Sequence, residues 1–210
     1  RGFPGGRGRR VLKREGLVAD VAGGVLVGGA SSRMGSDKSQ RAFRGEAAAT
    51  RTSRLLASLF EDVMLVGGEP PADAVGRRVA DLPGPRSALR GIVTALEASS
   101  AECVLVVATD LPLLTPALLL ALVAWPAADV VLPRRGAGVE PLCALWSRER
   151  AAVAARAQLA AGHFALRDLI AQLDARYLEG ADLDAVDPDS TALANANTPD
   201  VWSHLESLPR

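Results

Sequence analysis

A single-domain open sheet, mostly parallel and covered by helices on both faces, is the fold class that this 210-residue sequence predicts. Two observations carry it. Short apolar runs, too continuous to have one wet face, alternate with segments of helical periodicity along most of the chain. Polar or glycine-rich loops follow several of these runs directly, as at Gly28-Gly29 and Thr109-Asp110. Sheets of this kind gather ligands outside the carboxyl ends of their strands.

Taken in order, Val25-Leu26-Val27 reads as the first buried strand. Residues 47–59 carry Ala, Thr, Leu and Phe at helical spacing. Val63-Met64-Leu65-Val66 is a second buried strand, stopped by Gly67-Gly68-Glu69-Pro70-Pro71. Val79-Ala80-Asp81 is a short third strand ending in a carboxylate. Ser87 caps a helix that runs to Ala98, with Leu89, Ile92, Val93 and Leu96 facing inward. The clearest strand spans residues 103–108 and delivers Thr109-Asp110-Leu111-Pro112. A helix over 116–125 starts from Thr115 as cap with Pro116 in its first turn. Apolar strands follow at 129–133 and 141–146, then helices at 148–161 and 164–173. The acidic, turn-rich stretch 182–189 reads as a solvated loop. Asn195-Ala196-Asn197-Thr198-Pro199 leads into a closing helix over 199–205. No linker divides this alternation, so residues 23–210 are expected to form one domain, preceded by a basic, disordered extension over 1–22.

With 49% apolar and 23% charged residues the chain can bury a sizeable core. Lys plus Arg equals Asp plus Glu at 24 each, so no overall basicity draws it to nucleic acid or an anionic membrane. Phosphate binding, if present, must be local. The N-terminal Arg1, Arg7, Arg9, Arg10, Lys13 and Arg14 lack the aromatic interleaving of a nucleic-acid arm and the apolar core of a signal peptide. No apolar run reaches the roughly 18 residues needed to span a bilayer, and a cytoplasmic protein is expected. Cys103 and Cys143 sit in apolar stretches as reduced, buried thiols, and with the distant His163 and His204 they build no metal cluster.

Residues 24–38, GVLVGGASSRMGSDK, organise the chemistry. Glycines directly after a strand let backbone N–H groups approach a ligand that side chains would exclude. Arg33 and Lys38 bring positive charge to the same loop, which suits a polyphosphate held by amides and cations together. The interval from Gly29 to Gly35, and Asp37 before Lys38, break the P-loop spacing; Gly28-Gly29-Ala30-Ser31 does not supply the dinucleotide fingerprint. Attack at the α-phosphorus of a nucleoside triphosphate needs its charge neutralised and its leaving pyrophosphate stabilised. Arg33, Lys38 and the loop amides serve one side. A divalent cation serves the other, and Mg²⁺ takes only one or two protein carboxylates. Asp110, at the end of the most apolar strand, is the foremost candidate ligand.

The run from Leu26 to Lys38 closely resembles the signature loop of the molybdenum cofactor nucleotidyltransferases, especially the guanylyltransferases. Thr109-Asp110-Leu111-Pro112 resembles that family's metal-binding segment. Asp81, with Gly84-Pro85 and Gly91, resembles its second nucleotide block, and Asn195-Ala196-Asn197-Thr198-Pro199 its C-terminal motif. The resemblance implies a Rossmann-like fold of the nucleotide-diphospho-sugar transferase type. It implies transfer of GMP from GTP to the terminal phosphate of molybdopterin or molybdenum-molybdopterin, with Mg²⁺ as cofactor. By it Leu26, Val27, Gly28, Gly29, Lys38, Asp81 and Asp110 bind the nucleotide; Lys38, Arg33 and Asp110 act in catalysis; Asp110 holds the metal; and Asn195 and Asn197 face the pterin or the metal. Molybdenum cofactor delivery or acceptor proteins are the implied protein partners. Cytidylyl or another small-molecule nucleotidyl transfer, or a regulator that binds nucleotide without turnover, would use the same pocket.

Gly28-Gly29, where the related cytidylyltransferases carry Ala-Gly, is read as room for a purine. Two departures stand beside the resemblance. The asparagine that the family places after its second strand is replaced by Gly67-Gly68, and the second block carries Arg86 and Arg90 in an insertion before Gly91.

Overall fold

The computed structural model describes residues 17–28 and 41–208. Gly29, Arg33 and Lys38 of the signature loop lie outside the described residues, as do residues 1–16 of the basic extension. The chain opens with β1 (Val21–Leu26), the short β2 (Ala42–Phe43) and β3 (Glu46–Ala47), then α1 (Ala48–Ala57) and β4 (Val63–Val66). Next come β5 (Arg77–Val79), α2 (Ala88–Ala98), β6 (Cys103–Ala108), α3 (Pro116–Ala124) and β7 (Val130–Arg135). The C-terminal part holds β8 (Gly138–Val139), β9 (Cys143–Ser147), α4 (Arg148–Ala160), α5 (Leu166–Ile170), β10 (Ala175–Glu179), α6 (Gly180–Asp184) and α7 (Pro199–Ser207).

Seven of these strands form the path β10-β7-β9-β6-β1-β4-β5, with β8 attached to β7. Pairing is parallel throughout except at β9, which runs antiparallel to both β6 and β7, and at the β7/β8 hairpin. The strand period of two splits the core between the faces. In β6, Cys103, Leu105 and Val107 pack with α1 and α3, whereas Val104 and Val106 pack with α2 and α4. Both faces are thus buried, which is why β4 and β6 are apolar at every position. Gly23 lets α1 approach β1 closely: a methyl there would stand 3.0 Å from Leu56.

The caps read from sequence at Ser87 and Thr115 are present, and Thr198 caps the closing helix in the same way. Ser87 Oγ accepts from Arg90 N, Thr115 Oγ1 from Leu118 N, and Thr198 Oγ1 from Val201 N, with Pro116 and Pro199 in the first turns.

Several boundaries differ from those expected. β1 begins at Val21, and Val18, Val21 and Ala22 are buried, so the boundary drawn at residue 22 falls inside the first strand. β5 ends at Val79 because its partner β4 ends at Val66, leaving Asp81 beyond the strand. The helix expected over 164–173 is confined to Leu166–Ile170. The acidic stretch 182–189 is not a solvated loop. Leu183 of α6 is in the core, and buried Asp187 accepts from the N–H groups of Thr191 and Ala192 while pairing with Arg135 at 3.2 Å. Among the described residues no helix is long and apolar enough to cross a membrane.

Candidate active site

The chain leaves β1 toward β4 by way of α1 on one face and returns to β6 by way of α2 on the other. β1 is therefore the switch point of the sheet, and the loops beyond its carboxyl end and those of its neighbours frame the site. Leu26, Val27 and Gly28 stand there. Val27 is buried, donates its N–H to Val66 O at 2.8 Å, and so offers a ligand its backbone only. The Leu26 side chain packs toward α2, where a methyl on Gly91 would lie 3.0 Å from it.

Glycines from β1 and β4 meet at this crest. Gly68, with φ +49, leaves no room for a methyl, which would stand 2.4 Å from Val27 O. Gly28, with φ +96, would press a methyl against the Gly68 α-carbon at 3.2 Å. Backbone conformation therefore favours glycine at 28 for a reason separate from room for a purine. The missing family asparagine also has a physical reason. A methyl on Gly67, with φ +71, would stand 2.6 Å from Asp81 Oδ2, so the Asp81 carboxylate fills the space that a side chain would need. Arg90 Nη2 meets the same Oδ2 at 2.7 Å, and its Nη1 donates to Gly84 O.

Asp110 follows β6 and is half-buried. Its segment is anchored from two directions: Ala196 N donates to Asp110 O at 2.8 Å, and Arg51 Nε to Pro112 O at 2.8 Å. Asn195 Nδ2 donates to Glu140 Oε2 at 2.5 Å, and Asn197 N donates to Asn195 O at 3.1 Å. Glu140 also accepts from Leu142 N at 3.1 Å. Burial raises the Glu140 carboxyl above its ordinary value, and the nearby Asp110 charge pushes it the same way; the hydrogen bonds from Asn195 and Leu142 pull it down without cancelling the rise. Asp110, Glu140 and Asn195 thus form one polar cluster, with the exposed Asn197 in the adjoining turn. Glu140 was not read from sequence, although its place just before Pro141 at the start of an apolar strand was a signal available there.

Asp81 stands outside that cluster. The Asp81 carboxylate rests against Gly67 beyond β4, two inter-strand steps of about 4.8 Å from β6. Among the described residues no group of three His, Cys, Asp or Glu side chains assembles into a closed metal centre. Asp110 with neighbouring Glu140 and Asn195 is instead a sparse, hard-oxygen donor set, which fits an Mg²⁺ that completes its shell with water and phosphate.

A third apolar cluster fastens α7 to the β2/β3 hairpin. Phe43 and Trp202 meet edge to face with centroids 5.6 Å apart, and Trp202 Nε1 donates to Ala42 O at 2.8 Å. Arg44 donates to the carbonyls of Leu205, Glu206 and Leu208, closing the β2/β3 hairpin on α7. The β2/β3 hairpin is thus held by α7 through both apolar and hydrogen-bonded contacts.

Comparison with known proteins agrees with this geometry. The pattern of the MobA-like NTP transferase domain matches residues 23–177. A probable molybdenum cofactor guanylyltransferase of Chloroflexus aggregans is 33% identical over 191 residues, covering 86% of this chain and 90% of that protein. The molybdenum cofactor guanylyltransferase of Desulfosudis oleivorans is 31% identical over 193 residues, covering 89% and 95%. In structure, the molybdopterin-guanine dinucleotide biosynthesis protein A of Archaeoglobus fulgidus superposes with a TM-score of 0.75 at 21% identity, covering 88% of this chain and 96% of that one. The 2-C-methyl-D-erythritol 4-phosphate cytidylyltransferase of Thermus thermophilus has the same fold, with a TM-score of 0.64 at 15% identity over 88% and 96%. Strand-end loops, glycine crest and sequence kinship converge: the chain belongs to the MobA-like NTP transferase domain family, and it is a nucleotidyltransferase.

Proposed function

We propose that this protein transfers GMP from GTP to the terminal phosphate of molybdopterin, or of its molybdenum-loaded form, giving molybdopterin guanine dinucleotide and pyrophosphate. The observation that supports the reading best is the polar cluster of Asp110, Glu140 and Asn195, set apart from Asp81 along one sheet edge. The names of the related guanylyltransferases point to the same substrates.

In this reading a non-bridging oxygen of the pterin phosphate forms a bond to the α-phosphorus of GTP. The bond from that phosphorus to the bridging oxygen breaks, and its electron pair leaves with pyrophosphate. The nucleophile is already ionised, so no strong general base is needed. Backbone groups of Leu26, Val27 and Gly28 line the path of the nucleotide, and Asp81 receives the base. Gly29, Arg33 and Lys38 belong to the loop that continues from Gly28, where their amides and charges suit the phosphates. Asp110 would hold Mg²⁺, with Glu140 beside it; when bound, the ion neutralises phosphate charge. Asn195 and Asn197 face the acceptor pterin. Molybdenum cofactor delivery or acceptor proteins are the proposed partners that take the product.

The test is pyrophosphate release and dinucleotide mass when the purified protein is given GTP, Mg²⁺ and molybdopterin, with CTP in parallel. A nucleotide-binding regulator would bind GTP and release nothing. Equal use of CTP would overturn the choice of guanine.

A further inference from the structure

Arg90 stands in the first turn of α2 with only 9% of its side chain exposed. A guanidinium is placed below the surface only where acceptors meet it. Nη2 meets Asp81 Oδ2 at 2.7 Å and Nη1 donates to Gly84 O, while Nε, also buried, has no acceptor among the described residues. The fork therefore ties the carboxylate beyond β5 to the exposed turn at Gly84. Asp81 keeps an open edge, its side chain 28% exposed. On another side the carboxylate rests on Gly67, where a methyl would stand 2.6 Å from Oδ2. One oxygen is thus fixed by a buried arginine and a bare glycine while the carboxylate stays accessible.

We propose that Arg90 is a positioning residue that sets base selectivity. By holding Asp81 through Oδ2, it presents the open edge of the carboxylate to the adjacent N1–H and 2-amino donors of guanine. This deepens the guanylyl-transfer reading and rests on it. Cytosine and adenine carry a ring-nitrogen acceptor where guanine has N1–H, and that lone pair would face the carboxylate with repulsion. A pinned carboxylate cannot rotate to relieve the mismatch. The fork geometry is specific to arginine, since lysine would reach Asp81 or Gly84 O as a point charge but could not brace both in one plane.

Isothermal titration with GTP and with ITP, which lacks the 2-amino group, tests the inference in the presence of Mg²⁺. The wild type should bind GTP at least about tenfold more tightly than ITP. Arg90→Met should bring that ratio below about threefold, chiefly by weakening GTP. Arg90→Lys should retain more of it than the methionine variant, and Gly67→Ala, which displaces Oδ2 without touching the arginine, should lower it. Circular dichroism establishes that each variant folds. If the variants weaken GTP and ITP alike and keep the ratio, Arg90 is structural and the inference fails. A wild type that binds GTP and ITP equally overturns it without any variant, leaving guanylyl transfer standing. No binding of GTP by the wild type overturns both.

Discussion

The side-chain amide of Asn195 donates to the Glu140 carboxylate at 2.5 Å. The next residue's N–H donates to the Asp110 carbonyl at 2.8 Å, so one turn near the C-terminus joins the end of β6 to the approach of β9. A carboxylate in a low-dielectric pocket is costly without donors, and here a side-chain amide and the Leu142 N–H serve Glu140. The asparagine motif is therefore part of the same unit as the carboxylate assigned to the metal.

Replacing Asp110 by Asn keeps the shape of the β6 loop and removes its charge. Turnover should fall at least about a hundredfold, roughly 2.7 kcal/mol of transition-state stabilisation, with excess Mg²⁺ restoring little. Pyrophosphate release measured across a Mg²⁺ titration reads this, and thermal unfolding without ligand should barely change. A variant active at low Mg²⁺ would move the metal to another carboxylate.

Glu140 makes a prediction about pH. Its carboxyl is raised by burial and by Asp110, so the folded state keeps a proton that the unfolded chain has already lost. Stability of the metal-free wild type should accordingly fall as pH rises above the ordinary value of 4.5, until the raised value is passed. Glu140→Gln should flatten this decline. Urea denaturation of both proteins over that range is the measurement, and parallel curves would show that Glu140 is not the group responsible.

Gly68→Ala should strain the crest, because φ is +49 and the new methyl would lie 2.4 Å from Val27 O. A cost of about 1–3 kcal/mol is expected in chemical denaturation. Since the displaced group is backbone that serves any nucleotide, GTP and CTP should weaken together. Loss of GTP alone would mean that the crest reads the base.

Trp202→Ala should remove the edge-to-face contact with Phe43 and the bond to Ala42 O. With Trp202 2% exposed, about 3–5 kcal/mol of stability should be lost. Trp202→Phe should recover most of the stability but not the hydrogen bond, worth about 1 kcal/mol. An alanine variant as stable as wild type would detach α7 from the fold's cooperative unit.

The sequence by itself determined the central strands, the capped helices and the family. β4 and β6 lie between two helical layers, so every residue in them must be apolar and the run is unmistakable. Ser87, Thr115 and Thr198 act on N–H groups three residues onward, a distance that sequence displays directly. The family pattern was legible for the same reason: the signature loop, Asp110 segment and asparagine motif are each local.

Only the tertiary structure decided the rest. β10 carries Ala, Arg, Tyr, Leu and Glu in turn, a mixture tolerated because it pairs only with β7 at the sheet edge, and it shows no apolar run. The antiparallel course of β9 follows from the β7–β8 reversal before it, not from its own residues. The acidic stretch became α6 and a buried Asp187 because Arg135, far back in the chain, reaches it. Arg90 looked like part of an insertion, and Glu140 drew no notice. Their partners Asp81 and Asn195 arrive through β-strand register and loop closure, and hydrogen-bond distance between chain-distant groups is set by packing, which no local pattern of residues encodes.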